Sequence, residues 1–124
     1  MLVLFIQAYW ALIRCDLHLA QRDFAGLHGR VRNSPVNNKE SSTDAMEKVC
    51  AAVDRACIWY WKEALCLQRS AATALLLKRH GVSAQMVIGI QDMPFRAHAW
   101  VEVDGFVVND RPYVREVYSP LDQC

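Results

Sequence analysis

The spacing of apolar residues changes once along this chain, near residue 82, and this change limits its fold more than any other feature. Before it, apolar residues recur at intervals of three and four, which is typical of amphipathic helices. After it, the period is two, as in strands that bury one face. Helices followed by antiparallel strands predict an α+β domain, with N-terminal helices packed on one face of a small sheet.

Length and charge limit the domain organisation and the class of partner. The 124 residues are enough for one domain, which we divide into a helical segment at 1–32, a loop at 33–43, helices at 44–81 and a sheet at 82–115. A hydrophobic fraction of 53% with a net charge of +1 excludes a disordered chain. The near balance of 14 basic and 13 acidic residues argues against nucleic-acid binding.

The first segment begins with the apolar run MLVLFIQAYWALI. It has no basic stretch before it and no small-residue cleavage site, and it reaches Arg14 and Asp16 before the roughly 20 residues that a membrane span needs. We therefore predict no membrane-spanning segment. The pattern indicates a buried or partner-facing helix that ends near Gly26 or Gly29, where glycine can adopt the left-handed cap conformation.

Two more helices are expected before residue 82. Asp44 with Glu47 resembles a capping box, followed by one apolar stripe. The stripe consists of Met46, Val49, Cys50, Val53, Cys57, Tyr60 and Trp61. The next helix begins around Cys66 and stops at Gly81. The large rings of Trp10, Trp59 and Trp61 are expected to fill the small core, and a docking surface is the alternative.

Five cysteines, an odd number without any C-x-x-C pair, predict reduced thiols in a cytoplasmic protein and no thiolate metal site. Cys50 and Cys57 lie on the apolar stripe and are expected to pack as small hydrophobic residues. Cys66 differs because it starts a helix, where unpaired amides and the helix dipole stabilise a thiolate. It is the candidate nucleophile.

A nucleophilic cysteine needs an imidazole to take its proton, and the imidazole needs a third group to orient it. His98 is the candidate base. Glu102 and Asp104 follow it on the same strand, about 13 and 20 Å away, so neither can orient it. Asp110 lies on the returning strand and remains the candidate orienting group.

The register of this hairpin decides whether Asp110 can reach His98. A two-residue turn at 104–105 would place His98 opposite Arg111 and leave Asp110 on the other face. A three-residue loop at 103–105 places His98 directly opposite Asp110, with their Cβ atoms about 4.5 to 5.5 Å apart. We therefore predict the three-residue loop.

Taken together, these motifs resemble the transglutaminase-like cysteine peptidases of lasso peptide biosynthesis, the B proteins. The residues that carry the resemblance are Cys66-Leu67-Gln68-Arg69-Ser70, the following small and Leu residues to Leu77, Arg79-His80-Gly81-Val82, Ile88-Gly89, Phe95, His98-Ala99-Trp100-Val101-Glu102, Gly105 and Asp110. The resemblance is strong over about 60–112 and looser over 12–31.

This resemblance implies a papain-like, transglutaminase-type core that removes the leader from a ribosomally made precursor peptide. Cys66 would be the nucleophile, His98 the general base and then acid, and Asp110 the orienting group. It implies no cofactor or metal bound by this domain. The implied partners are a separate leader-recognition protein and an asparagine-synthetase-like cyclase, which uses ATP to consume the freed core amine. The short chain leads us to expect the cutting half of such a split system.

Two other functions fit the same residues. A transglutaminase-like acyltransferase would use Cys66, His98 and Asp110 but pass the acyl group to an amine rather than to water. A non-catalytic adaptor would keep the fold with an inert thiol.

Overall fold

The computed structural model describes residues 2–36, 43–61, 64–91, 96–110 and 114–124. Its elements are α1 (Leu2–Ala20), α2 (Phe24–Asn33), α3 (Thr43–Trp59), α4 (Cys66–Arg79), β1 (Ala84–Gln91), β2 (Arg96–Val103), β3 (Phe106–Val107), α5 (Val114–Val117) and β4 (Ser119–Gln123). The four strands form one antiparallel sheet in the order β3-β2-β1-β4. The four longer helices, α1 to α4, precede the sheet, as expected for an α+β domain, and the short helix α5 lies between β3 and β4.

The N-terminal helical segment is broken in two, so the prediction of one helix ending near Gly26 or Gly29 is wrong. α1 ends at Ala20, and Arg22 adopts a left-handed conformation with φ 56°. Asp23 then caps α2, because its carboxylate accepts a hydrogen bond from the Gly26 amide at 3.0 Å. Both glycines therefore lie inside α2 and terminate nothing.

α3 carries most of the predicted apolar stripe into the core. It begins at Thr43, so Asp44 lies in the first turn and pairs with Lys48 at 2.9 Å instead of capping the helix. Val49, Val53 and Tyr60 are buried, while Met46, Cys50 and Cys57 are partly buried against the core. The stripe therefore faces inward as predicted, except at its last residue.

That last residue, Trp61, is exposed, as are Trp10 and Trp59, so the prediction that these three rings fill the core is wrong. Tyr60 is the inward-facing residue between its two neighbours. Its ring lies 5.3 Å from that of Tyr9, and its hydroxyl donates to a carboxylate oxygen of Asp16 at 2.9 Å. Three consecutive residues cannot all face the core. Of these three, Tyr60 faces inward, because its ring packs in the core while its hydroxyl still finds a hydrogen-bond partner.

The core lies between the helices and one face of the sheet, with α4 at its centre. α4 packs against α1, α2 and α3 on one side and against β1 and β2 on the other. Its small residues Ala71, Ala72 and Ala74 are fully buried, which allows the neighbouring elements to approach closely. Gln68 is also buried, and its amide satisfies the carbonyl of Leu12 in α1 at 2.8 Å.

The hairpin between β2 and β3 closes by a two-residue turn, so the predicted three-residue loop is wrong. Val103 pairs with Phe106, and Asp104 and Gly105 have φ values of 52° and 82°. Two consecutive positive φ angles are typical of a type I′ turn, whose twist matches that of the flanking strands. Because Asp104 accepts this conformation, the turn needs no third residue.

Beyond the hairpin, the chain contains two elements that were not predicted, and the first of them, a helix, begins at Val114, inside the range 82–115 that was assigned to the sheet. The short helix α5 leads into β4, which pairs with β1 on the side away from β2. On the sheet face opposite α4, Val87, Trp100 and Val114 form a small second cluster with Val107 and Tyr118 packed beside them. This second face carries the candidate histidine.

α1 is long and apolar enough to cross a membrane by length and composition, with a mean hydropathy of 1.3. A core helix meets the same criteria, and Ala8, Leu12 and Cys15 are buried where α1 packs on α3 and α4. The other side of the helix exposes apolar residues, including Leu2 and Ile6. The absence of a membrane span stays a prediction.

Candidate active site

Cys66 is the first residue of α4 and is exposed, as the sequence predicts for its place in the helix. The residue before it, Leu65, supplies no side-chain hydrogen bond to the helix start. Backbone amides in the first turn of a helix have no partner within the helix and carry the positive end of its dipole. The Cys66 sulfur therefore stands where negative charge is stabilised.

His98 lies near the start of β2, on the sheet face that carries Trp100 and Tyr118. Its ring centroid is 6.1 Å from that of Trp100 and 5.2 Å from that of Tyr118. These rings restrict the imidazole on two sides, while a quarter of its side chain remains exposed (25%). The imidazole is thus held in place and still accessible from solvent.

The structure brings His98 and Asp110 together, and Nε2 of the imidazole contacts Oδ2 of the carboxylate. Both side chains are about one-quarter exposed, at 25% and 26%. A carboxylate at Nε2 selects the tautomer that carries its proton there, which leaves Nδ1 as the nitrogen that can accept a proton. The structure therefore places this histidine against this aspartate, although not through the predicted register.

The contact forms because the β2–β3 ladder stops before it reaches Asp110. Val108 still donates its amide to the Val101 carbonyl at 3.0 Å. In a regular ladder, the Val101 amide would donate to the Val108 carbonyl in return. Here it donates to Oδ1 of Asn109 at 2.7 Å instead. The chain leaves the strand at this point, so the two-residue turn does not force Asp110 onto the opposite face.

The Asn109 side chain also links the sheet to α4. Its amide nitrogen donates to the Ser70 hydroxyl at 3.3 Å, and that hydroxyl donates to the carbonyl of Ala99 at 3.0 Å. Ser70 is fully buried. Alternate carbonyls of a strand point to the same edge, so the carbonyls of Ala99 and Val101 both face the β3 side of β2. Ser70 therefore bonds to β2 at the edge that β3 leaves unpaired.

This contact fixes where Cys66 stands relative to the histidine strand. Cys66 and Ser70 are four residues apart in α4, hence on one face and separated by about 6 Å along the axis. Ser70 bonds to Ala99, the neighbour of His98, so the start of α4 lies at that edge of β2. Within the described ranges, no hydrogen bond joins the Cys66 sulfur to the His98 ring.

Glu102 and Asp104, the two other carboxylates near His98 in the sequence, have other positions in the structure. Glu102 is buried and accepts a hydrogen bond from the indole nitrogen of Trp100 at 2.8 Å. Asp104 forms the hairpin turn. Asn109 and Ser70 are the residues that sequence reasoning did not single out as functional. No periodic pattern marks them, since their importance lies in contacts between distant segments.

The other cysteines form no disulfide either, and three of them differ from Cys66 in their surroundings. Burial raises the pKa of Cys15 to about 12, although Arg30 opposes the shift. Burial, with a smaller contribution from Asp54, raises the pKa of Cys50 to about 11. Burial also raises the pKa of Cys57. A neutral, protonated thiol is a poor nucleophile, so these three are unsuited to the chemistry.

Among the residues that the structure describes, no three His, Cys, Asp or Glu side chains come together as a metal-binding group. The groups that the described residues bring to this strand edge are the imidazole and the carboxylate, with the helix start that carries the thiol beside them.

With this geometry established, comparison with known proteins identifies the family. The model of the transglutaminase-like superfamily matches residues 9–123, so the chain belongs to that superfamily. A stretch of 56 residues is 43% identical to the microcin J25-processing protein McjB of Escherichia coli. It covers 45% of this chain and 27% of that protein, so less than a third of the relative is matched. No solved structure matches the chain.

These matches confirm the resemblance to the lasso peptide B proteins that the motifs predicted. They also confirm the α+β, transglutaminase-like fold class.

Proposed function

We propose that this protein is a cysteine peptidase that removes the leader from a lasso peptide precursor, with Cys66 as nucleophile, His98 as base and Asp110 as orienting group. The observation that carries the proposal is the contact between His98 Nε2 and Asp110 Oδ2, at the strand edge where α4 begins. The similarity to a microcin-processing protein supports the choice of substrate class.

The first half of the reaction forms an acyl-enzyme. Nδ1 of His98 takes the thiol proton, and the Cys66 thiolate attacks the carbonyl carbon of the last leader residue. The resulting oxyanion is stabilised by the backbone amide of Cys66, because this amide belongs to the helix start. When the tetrahedral intermediate collapses, the C–N bond breaks, and the imidazolium gives its proton to the departing core amine.

The second half returns the enzyme to its starting state. His98 removes a proton from water, and the hydroxide attacks the thioester carbon. The C–S bond breaks, the leader leaves with a free carboxylate, and the proton returns to the Cys66 sulfur. Asp110 keeps Nε2 protonated in both halves and stabilises the imidazolium, so Nδ1 remains the nitrogen that exchanges protons.

The proposal includes the partners that this chemistry requires. A leader-recognition protein would deliver the precursor, and an ATP-using, asparagine-synthetase-like cyclase would consume the freed core amine. We place the reaction in the cytoplasm, a choice supported by five cysteines that form no disulfide. No cofactor is required, since thiol and imidazole supply the nucleophile and the proton transfers.

The test is incubation of the purified protein with a lasso precursor peptide, with and without the recognition protein, followed by mass spectrometry. Hydrolysis yields free leader and free core. Cys66→Ala and His98→Ala are expected to abolish cleavage and retain the fold, whereas Cys57→Ala, which removes a thiol from the side of α3, is the matched control and should cleave normally.

The alternatives give different products in the same assay. An acyltransferase would join the leader acyl group to an added amine and release no leader acid. An adaptor would leave the precursor intact in every mixture. Cleavage that persists in Cys66→Ala would overturn the proposed mechanism.

A further inference from the structure

The position of Asp110 against His98 is not a consequence of the sheet register. With Val103 paired to Phe106, a ladder continued in register would place Arg111 opposite His98. Asp110 would then point to the helix-facing side of the sheet. Something must therefore interrupt the ladder between Val107, the end of β3, and Asp110.

Asn109 provides this interruption by replacing a backbone acceptor with a side-chain acceptor. In a regular antiparallel pair, Val101 and Val108 would exchange both of their hydrogen bonds. Here only the bond from the Val108 amide to the Val101 carbonyl forms, at 3.0 Å. The Val101 amide is satisfied at 2.7 Å by Oδ1 of Asn109, so the backbone can leave the strand without an unpaired donor.

The other end of the Asn109 side chain fixes the helix that carries the thiol. Nδ2 of Asn109 donates a hydrogen bond to the Ser70 hydroxyl, and this hydroxyl donates one to the Ala99 carbonyl. A third contact is weaker, with the Arg69 guanidinium donating to the Asn109 carbonyl at 3.5 Å. A single side chain thus bonds to the backbone of β2 and to a buried residue of α4.

The side-chain oxygen of Asn109 acts only as an acceptor, and its side-chain nitrogen acts only as a donor. Oδ1 accepts from a backbone amide, and Nδ2 donates to a hydroxyl whose proton is already committed to a carbonyl. Aspartate could replace the first function but not the second. A residue without a polar side chain could replace neither, and the Val101 amide would then be free to pair with the backbone and extend the ladder.

We propose that Asn109, acting with Ser70, is a positioning residue that places Asp110 against His98 and holds the start of α4 at the same strand edge. The importance of this role for catalysis rests on the proposed function. The placement itself concerns only the geometry of the two residues, so it can be tested without a substrate.

The placement is tested by NMR of the full chain with ¹⁵N-labelled histidine. A carboxylate bound at Nε2 shields that proton from exchange and moves its resonance downfield. The signal belongs to His98 if it disappears in His98→Gln. We expect it in the wild type and in Asn109→Asp, which keeps the acceptor for Val101. We expect its loss in Asp110→Asn and in Asn109→Ala.

Asn33→Ala, an exposed position at the end of α2, is the matched control and should keep the signal. If Asn109→Ala keeps the resonance while Asp110→Asn loses it, the proposed role of Asn109 is wrong. If Asp110→Asn keeps it too, the aspartate does not hold the histidine, and the proposed catalytic assignment fails instead.

Should Asn109→Ala not fold, Ser70→Ala serves as the second variant. We expect Ser70→Ala to broaden or lose the resonance, and an unchanged, sharp signal would overturn the part assigned to Ser70.

The catalytic consequence has its own readout in leader removal. Misplacement of a catalytic group by about 1 Å can cost up to about a hundredfold in rate. Asn109→Ala is therefore expected to lower kcat by about 10- to 100-fold while KM changes less than about twofold. A rise in KM at unchanged kcat would contradict a positioning role and indicate a contact with the substrate.

Discussion

Gly89 lies directly against the indole of Trp100. A Cβ atom at position 89 would stand 2.5 Å from Cη2 of this ring and 3.0 Å from Cβ of Tyr118. Gly89 is also the ladder partner of His98. The missing side chain therefore allows Trp100 and Tyr118 to close over the strand, and the same two rings flank the imidazole.

Gly89→Ala should therefore disturb both stability and the site. Forcing a methyl group into a filled space usually costs about 1 to 3 kcal/mol, since the indole must move. We expect the free energy of unfolding in urea to fall by that amount, together with a loss of activity. Gly29→Ala is the control. Nothing lies within 4 Å of its Cβ, and alanine favours the helix by about 1 kcal/mol. Equal effects of the two substitutions would contradict this packing.

Alkylation should distinguish the thiols by their surroundings. Cys66 is exposed, whereas burial raises the pKa of Cys15 to about 12 and that of Cys50 to about 11. At neutral pH, iodoacetamide should modify Cys66 first, as measured by peptide mass spectrometry over time. His98→Ala should slow this reaction, because the imidazole no longer accepts the proton. If Cys66 reacts no faster than the buried Cys124, the thiol is not activated and the adaptor function is favoured.

Stability should decline at alkaline pH. Burial raises the pKa of Cys15 to about 12, and burial together with the hydrogen bond to Asp16 raises the pKa of Tyr60 to about 12. The folded protein holds these protons more tightly than the unfolded chain does. Their stabilising contribution is therefore complete below about pH 9 and is lost as the pH rises toward about 12.

This decline can be assigned to a residue by urea unfolding at about pH 8 and about pH 10.5. Cys15→Ala should unfold more easily at both values but lose less stability between them. Identical losses in Cys15→Ala and the wild type would show that this thiol releases its proton at the same pH in both states.

Asp110→Asn should slow leader removal without abolishing it. The amide has the size of the carboxylate but no charge with which to hold the Nε2 proton or stabilise the imidazolium. We expect kcat to fall by about 10- to 100-fold, less than the loss of the base itself. Asp104→Asn is the matched control, because asparagine tolerates the positive φ of that turn position. The orienting role would be refuted if both variants kept wild-type rates.

Local signals explain the parts of the structure that the sequence predicts well. The start of α4 at Cys66 and its stop before Gly81 follow from apolar spacing and glycine. The break between α1 and α2 has no such signal, because Arg22, not a glycine, adopts the left-handed conformation there. Likewise, β4 contains Pro120 and pairs with β1 across a bulge, which hides its strand pattern.

At the candidate site, too, the sequence predicts one feature and not another. The pairing of His98 with Asp110 could be predicted from residue types, since an imidazole needs an orienting carboxylate. The route to that contact could not, because it depends on the Asn109 side chain replacing a backbone acceptor of Val101. A side chain can take the place of a backbone acceptor only in the folded strands, so the spacing of apolar residues does not predict this contact.

The most direct test of the central claim is the intact mass of the enzyme, quenched in acid during turnover of a lasso precursor. We expect an adduct equal to the leader minus one water, attached to Cys66 as a thioester and absent from Cys66→Ala. An adduct on any other residue, or release of the core by Cys66→Ala, would show that Cys66 is not the nucleophile.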